Sequence, residues 1–471
     1  MVRSREVGPL PTTQEDPSPS PASSKTELLR ELALRDGISI VVGCVIGSGI
    51  FLVPNSIAKQ LPAFSYVALL WIAGGLLTLC GALALGELGA AFPQAGGLYV
   101  YLQEAYGKPV AFLYGWGLLT LIHSGTIATL AVALGIYVSQ IADLTSAQDK
   151  LASVLCIVAL AALNLTGLRA AKHVQNVFSL AKVGGLALLI GIMFARGHVH
   201  QLRISFWPAP NEEFHIASFG TALIAVLWAY EGWHVISFTA SEFRRPRHDL
   251  PLGLFYGTAI VGSIYLLANV GYYSVLSPAQ IAQTQRVAAT AVTVAAGSTA
   301  TFFITALIIV SIIGAMNGMI LTGPRVYYAM AKEGLFFRSF GTVHPRTHVP
   351  MLAIIVQGIW AAALTLLGTF QELFTYVIFA AWIFYSLSVA AVIILRIRRP
   401  EIIRPFKVPL YPWLNVLFIL AGIGAAVSAI ISSPIRALYG IGLILAGLPI
   451  YAIFLVANRI TQGTPPKPAH L

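Results

Sequence analysis

Within the stretch VVGCVIGSGIFLVP, residues 41–54, Gly43, Gly47, Ser48 and Gly49 sit in the middle of a run apolar enough to cross a membrane. Glycine in a helix interior costs about 1 kcal/mol relative to alanine, and lipid tolerates no unpaired backbone polar group. The weakest helix formers therefore mark a deliberate break. A helix broken at mid-membrane offers free N–H groups on one half and free C=O groups on the other. The N–H end carries the positive end of the helix dipole and binds an anion such as a carboxylate. The freed carbonyls suit an ammonium group. Glycine lets the backbone turn and lets a ligand approach closely, and the Ser48 hydroxyl adds a donor. Such a site grips a zwitterion by both ends.

Two charged residues stand where hydrocarbon is expected. Lys182, in NVFSLAKVGGLALLIGI, lies about ten residues from the polar edge of its run, roughly 15 Å deep at the helical rise. A central lysine costs at least about 2.5–3.5 kcal/mol. It can neutralise a neighbouring carboxylate, act as a fixed cation in the place of a transported one, or titrate a proton. Glu231 lies in WAYEGWHVIS, residues 228–237. It can be a counter-ion for a substrate ammonium, a selector for cationic side chains, a partner of Lys182, or a protonated hydrogen-bonding group. Trp228 can close over a bound molecule or fill core. His234 reads as a core or cavity-wall residue, and Glu87, near the end of its run, as structural.

The elements that must position these groups are membrane helices. The 471-residue chain is 57% hydrophobic and only 10% charged, with mean hydropathy +0.80, against about 25% charged in soluble domains. It reads as an all-α polytopic membrane protein. Twelve spans of about 20 residues fall near 36–60, 64–91, 110–139, 150–167, 174–195, 215–240, 252–276, 302–330, 350–368, 372–395, 410–431 and 436–457. Of the 29 Lys and Arg, only Lys150, Arg196, Arg203, Arg286 and Arg436 fall in the loops opposite the N-terminus, while Lys59 and Lys182 lie within spans. All others share the side of the termini, so the positive-inside rule puts both termini in the cytoplasm of a multi-pass cell-membrane protein. The net charge of +11 reflects these loops and calls for no nucleic-acid partner. Residues 1–30, rich in Pro, Ser and Thr, lack the apolar core of a signal peptide and read as a disordered cytoplasmic tail. Residues 31–457 read as one domain, and 458–471 as a cytoplasmic tail. Cys44, Cys80 and Cys156 fall in apolar segments and form neither a disulfide framework nor a zinc spacing.

The longest connections are 196–214 and 277–301, both placed outside; the second reads as a short re-entrant or surface helix. The NLT at Asn164 matches a glycosylation acceptor but stands at a cytoplasmic span end. The first span breaks at GSG and the sixth within residues 228–237, so the halves have opposite orientation. Paired interruptions at corresponding positions point to a transport site between inverted repeats, here about 34–196 and 214–396, with two extra helices at about 409–457. A channel requires a continuous polar or carbonyl-lined pore, whereas the polar residues here cluster at two breaks. No P-loop, HExxH or GxSxG occurs. An ATP-driven pump or membrane protease is disfavoured, no cofactor is called for, and the chain is not expected to be an enzyme.

Several stretches together resemble one family. They are GCVIGSGIFLVP, GELGAAFPQAGGLYVYLQEAYG, VQNVFSLAKVGGLALLI, WAYEGWHVISFTASEFRRPRHDLP, GAMNGMILTGPRVYYAMAKEGLFF and RPFKVPLYPW, spread over residues 32–457. The chain resembles the amino acid–polyamine–organocation (APC) superfamily and its L-type amino acid transporter branch. The resemblance implies a leucine-transporter-type (LeuT) fold of five plus five inverted helices and two more, with helices 1 and 6 broken, working by alternating access. It assigns the substrate carboxylate to the backbone of Gly47, Ser48 and Gly49, and the ammonium to carbonyls around Val45, Trp228 and Ala229. It places Trp228 at an aromatic gate, and Lys182 where sodium-independent members replace a sodium site. The branch often has Gly at the position of Glu231 and Asn at that of His234; an acid there accompanies cationic substrates in some relatives. Animal members carry a cysteine between the third and fourth spans for a disulfide-linked heavy chain. Here that loop is QIADLTSAQDK, the pattern of a bacterial member without such a partner. The expectation is a sodium-independent exchanger (antiporter) of neutral L-amino acids. A proton-coupled symporter and an exchanger of cationic amino acids are the alternatives.

Overall fold

A computed structural model describes residues 28–208, 215–432 and 434–461. The expected tails therefore lie largely outside the described residues. In chain order the helices are α1 (Leu34–Val45), α2 (Gly49–Ala58), α3 (Phe64–Ala91), α4 (Leu98–Tyr106) and α5 (Lys108–Gly117). A π turn at Leu118–Ile122 joins α5 to α6 (His123–Ala142), followed by α7 (Ser146–Leu165), α8 (Leu168–Arg196), α9 (Val199–Phe206) and α10 (Ile216–Ala229). After a 3₁₀ segment, Val235–Glu242, come α11 (Pro246–Val275), α12 (Pro278–Gln283), α13 (Val287–Thr322), α14 (Pro324–Lys332), α15 (Met351–Leu367) and α16 (Phe370–Arg398). The last are α17 (Trp413–Ser432), α18 (Pro434–Leu445) and α19 (Gly447–Thr461). Among the described residues the only β feature is an isolated bridge between Leu32 and Phe243.

These elements occupy the twelve expected spans. Nine described helices are long and apolar enough to cross a membrane unaided, and α1 with α2, bent by 42°, makes a tenth. The other two are α15 and α10, the latter continued past a turn by the 3₁₀ segment. This is the twelve-helix fold of the leucine-transporter type. The segment 277–301 carries the short α12 and then the first part of α13, a short helix from Val287 that ends at Gly297, where φ +82° and ψ 179° separate it from the eighth span. This short helix packs against the protein through Val287, Ala288, Ala291 and Val292, which are buried.

Burial sorts the helices. The Lys108–Ala142 span is 89% buried and forms the axis, whereas Ser146–Leu165 is 17% buried and faces lipid. The π turn interrupts the axis just before Thr126 and Leu130, and the freed Thr120 carbonyl accepts from the Trp360 indole at 2.8 Å. Single π turns recur at functional sites.

Buried ion pairs fasten the face that carries the start of α1. Arg325, fully buried, donates from Nε and Nη2 to the two carboxylate oxygens of Glu242, at 2.8 and 3.1 Å, and from Nη1 to the Leu321 carbonyl. Glu87 has the structural role its position implied. It accepts from Arg396 Nε at 2.8 Å and from the Val408 N–H at 2.7 Å, and Arg396 lies 3.9 Å from the Tyr411 ring centroid. That cluster ties α3 and α16 to the approach to α17.

Candidate functional site

The break in the first span follows from its sequence. Ile46 closes the last turn of α1 on the Val42 carbonyl at 3.0 Å, and Gly47 folds its N–H back to Val45 at 2.8 Å. α2 then starts afresh, with Phe51 and Leu52 bonded to the Ser48 carbonyl. The N–H groups of Ser48, Gly49 and Ile50 are thus first-turn donors with no preceding carbonyl to reach. The sixth span breaks after Ala229 at Tyr230–His234, where Gly232 takes φ +106°. The two breaks abut. A Cβ on Gly49 would lie 2.5 Å from Ala229 Cα, and one on Gly232 would lie 3.2 Å from the Cys44 carbonyl carbon. Glycine at both positions allows that approach.

Lys182 serves the first break. Its ammonium donates to the carbonyls of Gly43 (2.6 Å) and Ile46 (2.8 Å), and the Ser311 hydroxyl also donates to Ile46, at 3.1 Å. A built-in cation sits on carbonyls that the break has freed. The Tyr265 hydroxyl donates to the Val45 carbonyl at 2.8 Å, and the Tyr272 hydroxyl to Ile50 at 3.2 Å.

Glu231 is held differently. Tyr385 donates to its Oε1 at 2.6 Å and lies 3.2 Å from His234 Nε2. Its Oε2 is buried without a hydrogen-bond partner, as are Ser48 Oγ, Trp228 Nε1 and His234 Nδ1. Glu231 and Lys182 are not partners, contrary to one of the expected roles. The lysine is spent on α1 carbonyls, and no carboxylate lies within salt-bridge reach of it among the described residues.

Between the breaks is a cavity of about 10 Å³ lined by Cys44, Val45, Gly47, Ser48, Gly49, Thr126, Leu130, Trp228, Glu231 and Met319. That is room for about one water, so the site is closed. Beyond it, on the side of the C-terminal end of α2, opens a cavity of about 900 Å³. Asn55, Lys59, Lys150, Gln285 and Gln371 line this vestibule, with no carboxylate among the described lining residues. Trp228 stands between the two spaces, stacked on Phe374 at 5.8 Å and edge-on to Phe370 at 6.2 Å. On the opposite side the Leu32–Phe243 bridge, the Arg325–Glu242 pair and a 2.8 Å Glu31–Arg169 pair close the protein. The Arg169 hydrogen bond holds the Glu31 carboxyl below the usual carboxylate range.

The structure therefore gathers Gly47, Ser48, Gly49, Trp228, Ala229 and Glu231 at one place, with Lys182 behind the first break. Val45 also lines the cavity, but its carbonyl already accepts from Tyr265 and Gly47, using both lone pairs, and has none left for an ammonium. Thr126, Leu130, Met319, Phe374 and Tyr385 come from other spans and carry no sequence signal of their own. Among the described residues no cluster of His, Cys, Asp and Glu suits a metal.

Residues 33–456 match the family model described as amino acid permease. The chain belongs to that family. It is 34% identical over 443 residues to the human b(0,+)-type amino acid transporter 1, covering 91% of this chain and 89% of the relative. It is 32% identical over 427 residues to the serine/threonine exchanger SteT of Bacillus subtilis, covering 90% and 96%. The mouse Asc-type amino acid transporter 1 is 29% identical over 443 residues, covering 91% and 82%. The chain is a multi-pass membrane transporter for amino acids.

Proposed function

We propose that this transporter exchanges neutral L-amino acids across the cell membrane without sodium, by alternating access. The observation that carries the reading is the Lys182 ammonium, 2.6 and 2.8 Å from two carbonyls freed by the first break. A resident cation there makes a co-transported one unnecessary. The substrate carboxylate binds the N–H groups of Ser48 and Gly49 and the Ser48 hydroxyl, at the positive end of α2. The ammonium binds the Ala229 carbonyl and that of Trp228, which already accepts one bond from Glu231 N–H at 2.9 Å. Trp228 and Phe374 form the gate to the vestibule. The relatives named as an exchanger and as amino acid transporters support the mode.

Both termini belong in the cytoplasm, because the basic loops lie on their side, so the vestibule opens outward and the ion-paired face closes inward. The protein works without a disulfide-linked heavy chain and catalyses no covalent reaction. Repeats of about 34–196 and 214–396 supply the two breaks, and 409–457 adds two helices.

A second reading has a specific observation behind it. Glu231 lines the cavity and its buried Oε2 has no hydrogen-bond partner, which favours acceptance of cationic side chains as well. The test is uptake of a panel of labelled amino acids into proteoliposomes in sodium-free potassium buffer, with and without unlabelled amino acid inside. Uptake of neutral substrates only into loaded vesicles, indifferent to added sodium, is expected. Equal uptake into empty vesicles, or dependence on sodium, would overturn the reading.

A further inference from the structure

Glu231 has one carboxylate oxygen committed and one free. Oε1 accepts from Tyr385; Oε2 is buried without a hydrogen-bond partner, and the residue lines the small cavity together with Ser48 and Thr126. Every titratable or charged group packed around it can be placed. Lys182, from α8, is engaged on Gly43 and Ile46. His123, from α6, has its Nε2 on the Met319 carbonyl at 2.8 Å. From α5, Tyr114 is a neighbour and brings no positive charge; nor does the Cys44 thiol of α1, and Tyr327 of α14 lies behind Tyr114 and is likewise uncharged.

His234, three residues on, is the nearest basic group, with Nδ1 3.8 Å from Oε1 and no hydrogen bond between them. Tyr385 gives its proton to Glu231, so His234 Nε2 must carry the hydrogen that meets the Tyr385 oxygen. Nδ1 is buried with no hydrogen-bond partner, so no acceptor there favours a second proton that would charge the ring.

An ionised Glu231 in the closed protein would be a buried charge with one hydrogen bond and no counter-charge, which proteins avoid at large cost. The missing positive charge has to arrive with what is carried. It can be a proton on Oε2 or the cationic side chain of a substrate.

We propose that these two alternate at Glu231, so that a neutral amino acid crosses with a proton on Oε2 and a cationic amino acid crosses with the carboxylate ionised. This rests on the exchange reading and deepens it. When a neutral substrate leaves, the O–H bond of the carboxyl breaks, the proton passes to water on that face, and the electron pair stays on Oε2 to meet the incoming cation. Exchange of a cationic for a neutral amino acid then moves one proton along with the neutral molecule and no net charge. Exchange of neutral for neutral moves protons equally both ways.

The experiment uses wild-type protein in weakly buffered potassium proteoliposomes loaded with serine, leucine and a pH-sensitive dye. Labelled arginine is added outside, with valinomycin setting the membrane potential. The expected result is a lumen that grows alkaline by one proton per arginine gained, at a rate indifferent to the sign of the potential. Apparent affinity for arginine should rise with pH, by up to about tenfold per unit, while Glu231 is protonated, and that for leucine should fall as steeply once it is ionised.

Arginine entry accelerated by an inside-negative potential, with no change in lumen pH, would overturn the proposal. Failure of arginine to exchange while leucine exchanges for leucine would also overturn it, leaving the exchange reading intact. Loss of leucine–leucine exchange as well would overturn the exchange reading first.

Discussion

The two helix breaks hold opposite charges in opposite ways. At the first, Lys182 is held by the protein: its ammonium donates to the Gly43 and Ile46 carbonyls, and Tyr265 and Ser311 donate to acceptors around it. At the second, Glu231 is half satisfied, with one oxygen bonded to Tyr385 and one bare. A charge whose partners all belong to the protein is part of the scaffold. A charge with an unpartnered oxygen, on a residue that lines the cavity, is free to change partners as cargo changes. The same asymmetry runs along the transport axis. Several buried or bridged contacts seal the face at the start of α1, whereas a layer of aromatic rings separates the site from the vestibule.

The largest effect should follow from removing the charge that the protein itself holds. Lys182→Met leaves the Gly43 and Ile46 carbonyls short of a donor, at about 1–3 kcal/mol each. Counterflow per folded transporter should fall on the order of 100-fold, since each 1.4 kcal/mol is a factor of ten. Exchange retained within about threefold would erase the distinction between the breaks.

Next comes the sealed face. Glu242→Gln takes the charge from a fully buried pair with Arg325, where loss of one partner costs about 3–5 kcal/mol. The melting temperature in detergent should drop by several degrees. An unchanged value would mean the pair does not hold this conformation.

Trp228→Ala should have a smaller, more local effect by opening the vestibule onto the cavity. Cys44, which lines that cavity, should then react with a small thiol reagent added from the vestibule side about tenfold faster, with ordinary melting behaviour, because an aromatic gate contributes about 1–2 kcal/mol. Unchanged Cys44 labelling would show that another element closes the site.

The smallest effect belongs to Glu31 and Arg169 at the exposed rim. The carboxyl's pKa is lowered by the Arg169 hydrogen bond. The pair therefore stabilises the closed face fully above the ordinary carboxylate range and loses that contribution as pH falls through the lowered pKa. Glu31→Gln should flatten this acid dependence of inward closure, read by labelling on that face, and leave neutral-pH exchange unchanged.

How much of this was legible in the sequence varied with the physics behind each feature. Hydropathy marks spans because lipid demands long apolar runs, and all twelve stand where the runs do. The breaks were legible because glycine and a buried acid are costly inside membrane helices. What those charges touch was not. Tyr385, Phe374 and Thr126 look like ordinary members of apolar helices, and only the packing of distant spans brings them to the breaks. Lys182 and Glu231 read as possible partners because two buried opposite charges usually find each other. Freed backbone carbonyls, which no side-chain pattern reveals, claimed the lysine instead. The Val45 carbonyl failed as an ammonium ligand for a related reason, since Tyr265 reaches it from 220 residues away.

The most direct test of the difference between the breaks is infrared difference spectroscopy of the reconstituted transporter as serine is replaced by arginine. A protonated-carboxyl band should be present with serine, disappear with arginine, and be absent throughout from Glu231→Gln. A spectrum in which no carboxyl changes protonation between the two substrates would contradict the assignment of Glu231 as the charge that changes partners.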